Sequence, residues 1–279
     1  MSIPLSFEVY PPRKPELQPA LHDTIRRLAE VSPQFISVTY GANGSSRDAS
    51  LDCLRFIRTE TAVEPLAHLT CVGSTRDEMV ALIQEFRDAG ISSFLALRGD
   101  PPQGVDEQSD FLGDLKSASD LVALIREVVG PQARIGVAAF PNGHPQSSSS
   151  EQDVDVLKVK QAAGADLAIT QLFFAADEYL VFAGLARDSG VSLPILPGIM
   201  PVTSLTRLRR IVEITGEKMP SELEDALVAA ETPEQARSVG IAHAVDLCRA
   251  LIAGGAPGLH LYAFNEHETV LEVLRQLDA

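Results

Sequence analysis

Cysteine is scarce in this chain, positive charge is outnumbered, and no apolar run approaches the length a bilayer demands. The three cysteines, Cys53, Cys71 and Cys248, are odd in number and far apart. They lack the close spacing of zinc or dithiol motifs, so they read as small buried apolar groups and no metal site is expected. Lys and Arg total 23 against 38 Asp and Glu, a formal net charge of -15. Such a chain repels a phosphate backbone, which argues against a nucleic-acid partner. A spanning helix needs about 20 consecutive apolar residues; none is present, so no membrane partner is expected. The opening stretch MSIPLSFEVYPPR has no basic start, no long apolar centre and no small-residue cleavage site. It reads as mature, cytoplasmic protein rather than a signal peptide. Low-complexity tracts and internal repeats are lacking too.

What the chain does have is alternation. With 279 residues, 45% hydrophobic and 22% charged, it can bury a substantial core. Eight short apolar runs read as strands: Leu5 to Val9, Phe35 to Thr39, Leu66 to Cys71, Ser93 to Leu97, Ile135 to Phe140, Ala168 to Phe173, Pro194 to Gly198 and Leu259 to Phe264. Segments with helical apolar spacing separate them, such as Leu17, Leu21, Ile25, Leu28 and Val31, or Met79, Leu82, Ile83 and Phe86. Thr75 with Glu78 predicts a capping box, and Gly90 a stop. Eight strand-helix units are the number that closes a parallel barrel, so the fold expected is a (β/α)8 TIM barrel spanning residues 1–279 as one catalytic domain. Lys218 to Gln235 adds a helical segment before the last strand, and Pro101 to Ser119 forms a polar loop suited to a lid. An open doubly wound sheet would carry a Gly-rich phosphate turn after the first strand, where this chain has Val9, Tyr10, Pro11 and Pro12.

Seven of the apolar runs stop at residues able to do chemistry: Glu8, Thr39, His68, Asp100, His144, Gln171 and Asn265. A parallel barrel collects its active site at that end. Taken alone, each has a plainer reading. Glu8 would be a carboxylate paired with Arg13 or Arg98, Asp100 a turn cap before Pro101, Gln171 a buried amide satisfied by backbone, and Asn265 a helix N-cap paired with Glu268.

The strings SFEVYPPR at 6–13, FISVTYGANGSSRD at 35–48, AHLTCVGSTRDEM at 67–79, ALRGDPP at 96–102, FPNGHPQS at 140–147, ADLAITQLFF at 165–174, ILPGIMPV at 195–202 and LHLYAFNEHE at 259–268 occur in order. Together they resemble the catalytic barrel of the methylenetetrahydrofolate reductase family, in its short bacterial form, over essentially the whole chain. The resemblance implies reduction of 5,10-methylenetetrahydrofolate to 5-methyltetrahydrofolate with NADH or NADPH and a bound FAD; no ribose-reading motif selects between the two nicotinamides. It implies that Glu8 is the general acid, with a raised pKa, for opening the methylene bridge. Asp100 lies beside flavin and pterin, and Gln171 bonds whichever flat ring is in place. Thr39, His68, Arg98, Gly99, Asp100, His144, Asp153, Lys160 and Gln171 match cofactor-contacting positions. Lys158 has no such match.

Departures from the family pattern cluster on the flavin. Phe140 replaces a flavin-contacting Tyr, Val156 and Val159 stand where the family has Asn and Arg, and Ser117 replaces an aromatic that covers the adenine. A hydrogen bond to a charged group is commonly worth about 1.5–3 kcal/mol, so several losses weaken FAD by orders of magnitude. The expectation is weak flavin binding or none, with hydride passing directly from nicotinamide to folate. On the folate side Ile211 replaces a stacking Phe and Glu266 an Arg, while Arg207 stands where the family has Gln and is placed to meet a glutamate-tail carboxylate. A homo-oligomer is compatible with the resemblance. The alternative is a degenerate folate- or flavin-binding barrel acting as a sensor without turnover, against which the intact Glu8 argues. A barrel of Schiff-base chemistry would place Lys at a strand end, and none of these ends has one.

Overall fold

The computed structural model describes residues 3–12, 14–40, 47–101, 104–105 and 111–278. Nine parallel strands form one sheet: β1 (Leu5–Val9), β2 (Phe35–Val38), β3 (Glu64–Thr70), β4 (Ser93–Leu97), β5 (Arg134–Ala139), β6 (Leu167–Thr170), β7 (Ile195–Leu196), β8 (Gly198–Ile199) and β9 (Leu259–Tyr262). Their order is β7-β6-β5-β4-β3-β2-β1-β9-β8. The two ends of that order are joined through Pro197, so the sheet closes on itself as a (β/α)8 barrel.

The seventh stave, expected as one strand, is split at that proline. Ile195 and Leu196 pair with Ala168 and Ile169 of β6. Gly198 and Ile199 pair with His260 and Leu261 of β9. Pro197 has no N–H to donate, and the stave changes neighbours across it. The Pro197 carbonyl still accepts from His260 N at 3.0 Å.

Among the described residues ten α-helices cover the outside: α1 (Gln18–Ala29), α2 (Arg47–Glu60), α3 (Arg76–Asp88), α4 (Ala118–Val129), α5 (Ser150–Ala162), α6 (Ala176–Asp188), α7 (Leu205–Thr215), α8 (Ser221–Ala229), α9 (Pro233–Ala253) and α10 (His267–Asp278). The additional helical segment before the last strand is α8. It ends at Ala229, because Thr232 caps α9 with Gln235 in a capping box. The Thr75–Glu78 box opens α3 as expected, with Thr75 N bonded to Glu78 Oε2 at 2.8 Å. On α1 the buried stripe is Leu21, Ile25 and Leu28. Leu17 and Val31 lie outside the helix and stay exposed, so the stripe is shorter than its apolar spacing suggested.

Alternation along each strand sorts the side chains into two cores. Phe7, Val9, Ile36, Val38, Ala67, Leu69, Phe94, Leu259 and Leu261 pack outward against the helices, and Cys53, Cys71 and Cys248 are buried there as free thiols pushed up to about 12 by burial. Phe35, Leu66, Leu95, Leu167, Ile169 and Leu196 plug the barrel's interior. The inward positions Ser6, Glu8, Ser37, His68, His260 and Tyr262 break that apolar pattern, and all of them sit on β1, β2, β3 and β9. No helix among the described residues is long and apolar enough to cross a membrane.

Candidate active site

Glu8 is held by one oxygen. Strand register sets it beside Ser37 on one side and Tyr262 on the other. Ser37 Oγ donates to Glu8 Oε2 at 3.5 Å, His68 Nε2 stands 3.4 Å from the same oxygen, and His260 Nε2 stands 3.8 Å from it. Both imidazoles are buried, and among the described residues neither Nε2 has a hydrogen-bond partner. Among the described residues nothing bonds Glu8 Oε1, and the side chain keeps 20% exposure. One carboxylate oxygen is thus gripped while the other is free to face a ligand.

This environment does not raise the Glu8 pKa, as the acid role had led us to expect. Burial pushes it up, but the His260 imidazole facing Oε2, the charges of His68 and His260, and the Ser37 hydroxyl together pull it below the usual carboxylate range. His68 is itself lowered by burial against the opposing pull of Glu8. The partners imagined for Glu8 were different ones. Arg98 bonds Gln146 and its own loop, with its guanidinium 5.8 Å from the Phe111 ring; Arg13 lies outside the described residues.

The loop after β4 brings Arg98, Gly99 and Asp100 to the mouth. Gly99 has φ +86°, and a Cβ there would meet Val72 Cγ2 at 2.5 Å, so this turn requires glycine. Asp100 is exposed beside it. Of the presumed lid, residues 111–114 are docked on the β3–α3 loop: Leu112 bridges Val72, and Gly113 N donates to Cys71 O. Residues 102, 103 and 106–110 are outside the described set.

Around β5, the residues expected to reach a cofactor are turned to one another. Lys160 is 8% exposed, donates to the Ala138 carbonyl at 2.8 Å and is brought down to about 8 by burial. Asp153, 7% exposed, accepts from Ser147 Oγ at 2.6 Å and from His144 N. His144 stacks edge-on against Phe140, takes Gln146 N on Nδ1, and is lowered by burial and by Arg98. The charged residues lining the adjoining groove, about 630 Å³, are Asp153, Glu178, Glu217 and Lys218. Burial and Glu178 raise Glu217 against a bond from Asn142. Three carboxylates against one lysine there are poor company for a pyrophosphate.

That arrangement does not fit FAD. Lys160 and Asp153 are spent on the protein, Val156 and Val159 are exposed apolar side chains, and Ser117 serves as the N-cap of α4.

Thr39 caps the β2 stave, its N–H bonded to Val9 O and its carbonyl taken by Ser50. Gln171 is half-buried, and its Oε1 accepts from Leu172 N at 2.9 Å. Across the mouth, Arg207 is exposed on α7 with its guanidinium 5.4 Å from the Phe264 ring. Ile211 is buried in the cluster of Leu172, Phe174, Leu208 and Leu223, so it offers no stacking face. Asn265 is not the cap of α10. Its φ is +58° and its amide bonds both N and O of Tyr10, while Glu266 takes the cap by accepting from Thr269 N.

Sequence reasoning missed His260, Tyr262, Ser37 and Ser6. The signal was available in LHLYAF, where period two sets His260 and Tyr262 opposite Leu259 and Leu261. Tyr262 donates to the Thr170 carbonyl at 2.9 Å, an approach allowed by Gly198, whose Cβ would meet that oxygen at 2.4 Å. Burial and Glu8 hold its phenol protonated, well above the usual range.

The family model described as methylenetetrahydrofolate reductase matches residues 1–278. The 5,10-methylenetetrahydrofolate reductase of Salmonella typhimurium is 36% identical over 95% of this chain and 88% of its own length. Methylenetetrahydrofolate reductase (NADH) 1 of Arabidopsis thaliana is 34% identical over 98% of this chain, which spans 48% of that longer protein. Among solved structures, an uncharacterized protein from Clostridium thermocellum that binds two copies of 5-methyl-5,6,7,8-tetrahydrofolic acid shares the fold. Its TM-score is 0.66 at 19% identity, covering 99% of this chain and 93% of that one.

Proposed function

The chain belongs to the methylenetetrahydrofolate reductase family, and we propose that Glu8 is the acid of its reaction and that hydride reaches the folate without a flavin. The protein is an oxidoreductase that reduces 5,10-methylenetetrahydrofolate to the 5-methyl form with a reduced nicotinamide. In that reaction the bond between N10 and the methylene carbon breaks and its electron pair stays on N10, which takes a proton. The resulting N5 iminium then accepts hydride at carbon.

The observation that carries the reading is the one-sided grip on Glu8. Oε2 faces Ser37, His68 and His260, while the side chain keeps 20% exposure. A pterin covering the mouth removes water from that remaining surface. Loss of water favours the neutral acid and opposes the downward pull of the imidazoles, so Glu8 gains its proton as substrate arrives. Asp100 and Gln171 meet the polar edge of the pterin, and Arg207 beside Phe264 meets the glutamate tail.

Direct transfer needs the nicotinamide and iminium carbons within about 3–3.5 Å. It is supported by the inward turn of Lys160 and Asp153 and by the exposed Val156 and Val159. Under the same proposal residues 1–279 act as one catalytic domain, and the chain works in the cytoplasm, where reduced nicotinamide and folate are drawn from solution. The test is a visible spectrum of the pure protein followed by anaerobic turnover with 4-deuterated NADH. A colourless protein that places the deuterium in the methyl product without loss to water supports the proposal. A yellow protein releasing stoichiometric FAD on denaturation overturns the flavin-free route.

A further inference from the structure

Two buried imidazoles meet Glu8 Oε2, and they differ in how the rest of each ring is held. His260 is fully buried, its Nδ1 is 2.8 Å from Ser6 Oγ, and among the described residues its Nε2 has no hydrogen-bond partner. Ser6 is 1% exposed, and its hydroxyl lies within reach of Nδ1 of His260 and of the Leu259 carbonyl, the latter at 3.3 Å. A hydroxyl both donates and accepts, so Ser6 alone would serve either tautomer, and the Glu8 oxygen facing Nε2 selects between them. With Ser6 donating to Nδ1, the ring's own proton is on Nε2, aimed at the carboxylate. The opposite tautomer would set a bare lone pair against Oε2.

Resting on Glu8 as the acid, we propose that Ser6 and His260 are a positioning pair for it: Ser6 supports the His260 tautomer that Glu8 selects, and the Nε2–H holds Oε2 so that Oε1 carries the proton to the folate. At 3.8 Å the Nε2–Oε2 pair stands just beyond hydrogen-bond distance. Contacts of this kind tighten as charge develops. When Oε1 releases its proton to N10, negative charge spreads over the carboxylate and the Nε2–H meets it. No proton leaves His260, so the step balances with Glu8 as sole donor. Neither Ser6 nor His260 touches substrate in this arrangement.

The titratable groups facing Glu8 are His68 from β3 and His260 and Tyr262 from β9, with the Ser37 hydroxyl from β2. Staves β4, β6 and β7 put Leu95, Leu97, Ile169 and Leu196 into the interior. Because His260 pulls the Glu8 pKa down, removing it moves the pH at which the acid loses its proton upward.

The test has two readouts. The first is 15N NMR of histidine-labelled protein, with the His260 ring assigned by its absence from His260→Gln. A neutral ring protonated on Nε2, shifting toward a tautomer mixture in Ser6→Ala, supports the pair; a ring protonated on Nδ1 overturns it. The second is the pH profile of single-turnover hydride transfer at saturating folate. In His260→Leu the rate should fall roughly 10-fold and its high-pH limb should rise by about one unit, with KM for folate unchanged and partial rescue by His260→Gln. A fall in rate with an unmoved limb means that His260 only fills space. If Glu8→Gln retains turnover, the acid assignment itself fails; if Glu8→Gln is inactive and the ring carries its proton on Nδ1, only the Ser6–His260 pair is refuted.

Discussion

The side-chain amide of Asn265 bonds both backbone polar groups of Tyr10, accepting from its N at 2.9 Å and donating to its O at 2.7 Å. The clamp ties the loop after β9 to the loop after β1 and keeps Asn265 at φ +58°, a conformation that asparagine tolerates better than most side chains.

Asn265→Ala therefore loses two hydrogen bonds and gains backbone strain, and should cost about 1–3 kcal/mol in denaturant unfolding. Asn265→Gly relieves the strain and loses only the bonds, so it should cost less than the alanine variant. Equal losses in the two would mean that the left-handed backbone contributes nothing.

Lys160 gives a pH dependence of definite sign. Its folded pKa of about 8 lies below the ordinary 10.5 because burial disfavours the ammonium. Between those values the unfolded chain binds a proton that the native chain does not, so stability rises with pH. Below pH 8 both states are charged and the native state carries the burial penalty. Relative to Lys160→Met, the wild type should gain roughly 2–3 kcal/mol between pH 7 and 10. A constant difference between the two melting curves across that range would show that the amine is not desolvated.

Arg207 is exposed, so in the proposed role it would meet a glutamate tail through solvent-screened charge. Arg207→Ala should raise KM for the folate about 3- to 10-fold and leave kcat unchanged, with a larger effect at low salt. A drop in kcat at constant KM would place Arg207 in the chemistry instead.

The barrel, its additional helix and the Thr75 cap were legible because period, capping and strand count all point one way in this sequence. The split stave was hidden because a proline inside an apolar run does not show which neighbour each half will pair with. Glu8 and His68 were legible as polar stops on apolar strands, and the structure brings those two together. His260 was passed over because it lies inside a run, where only its parity opposite Leu259 and Leu261 marks it as inward. The raised pKa expected of Glu8 failed for the same reason: burial was visible in the strand pattern, whereas two imidazoles and a hydroxyl converging from β2, β3 and β9 are a product of closure. The cap expected at Asn265 falls to Glu266 because a helix cap and a loop clamp draw on the same kinds of side chain, and only the left-handed backbone at Asn265 separates them.

The most direct test of the account is Glu8→Gln, followed by anaerobic NADH oxidation in the presence of methylenetetrahydrofolate and by folate affinity measured separately. The amide keeps the shape and loses the proton. Turnover should fall by about 100-fold or more with folate affinity within a few-fold of wild type. Equal rates in the two proteins would contradict the acid role of Glu8.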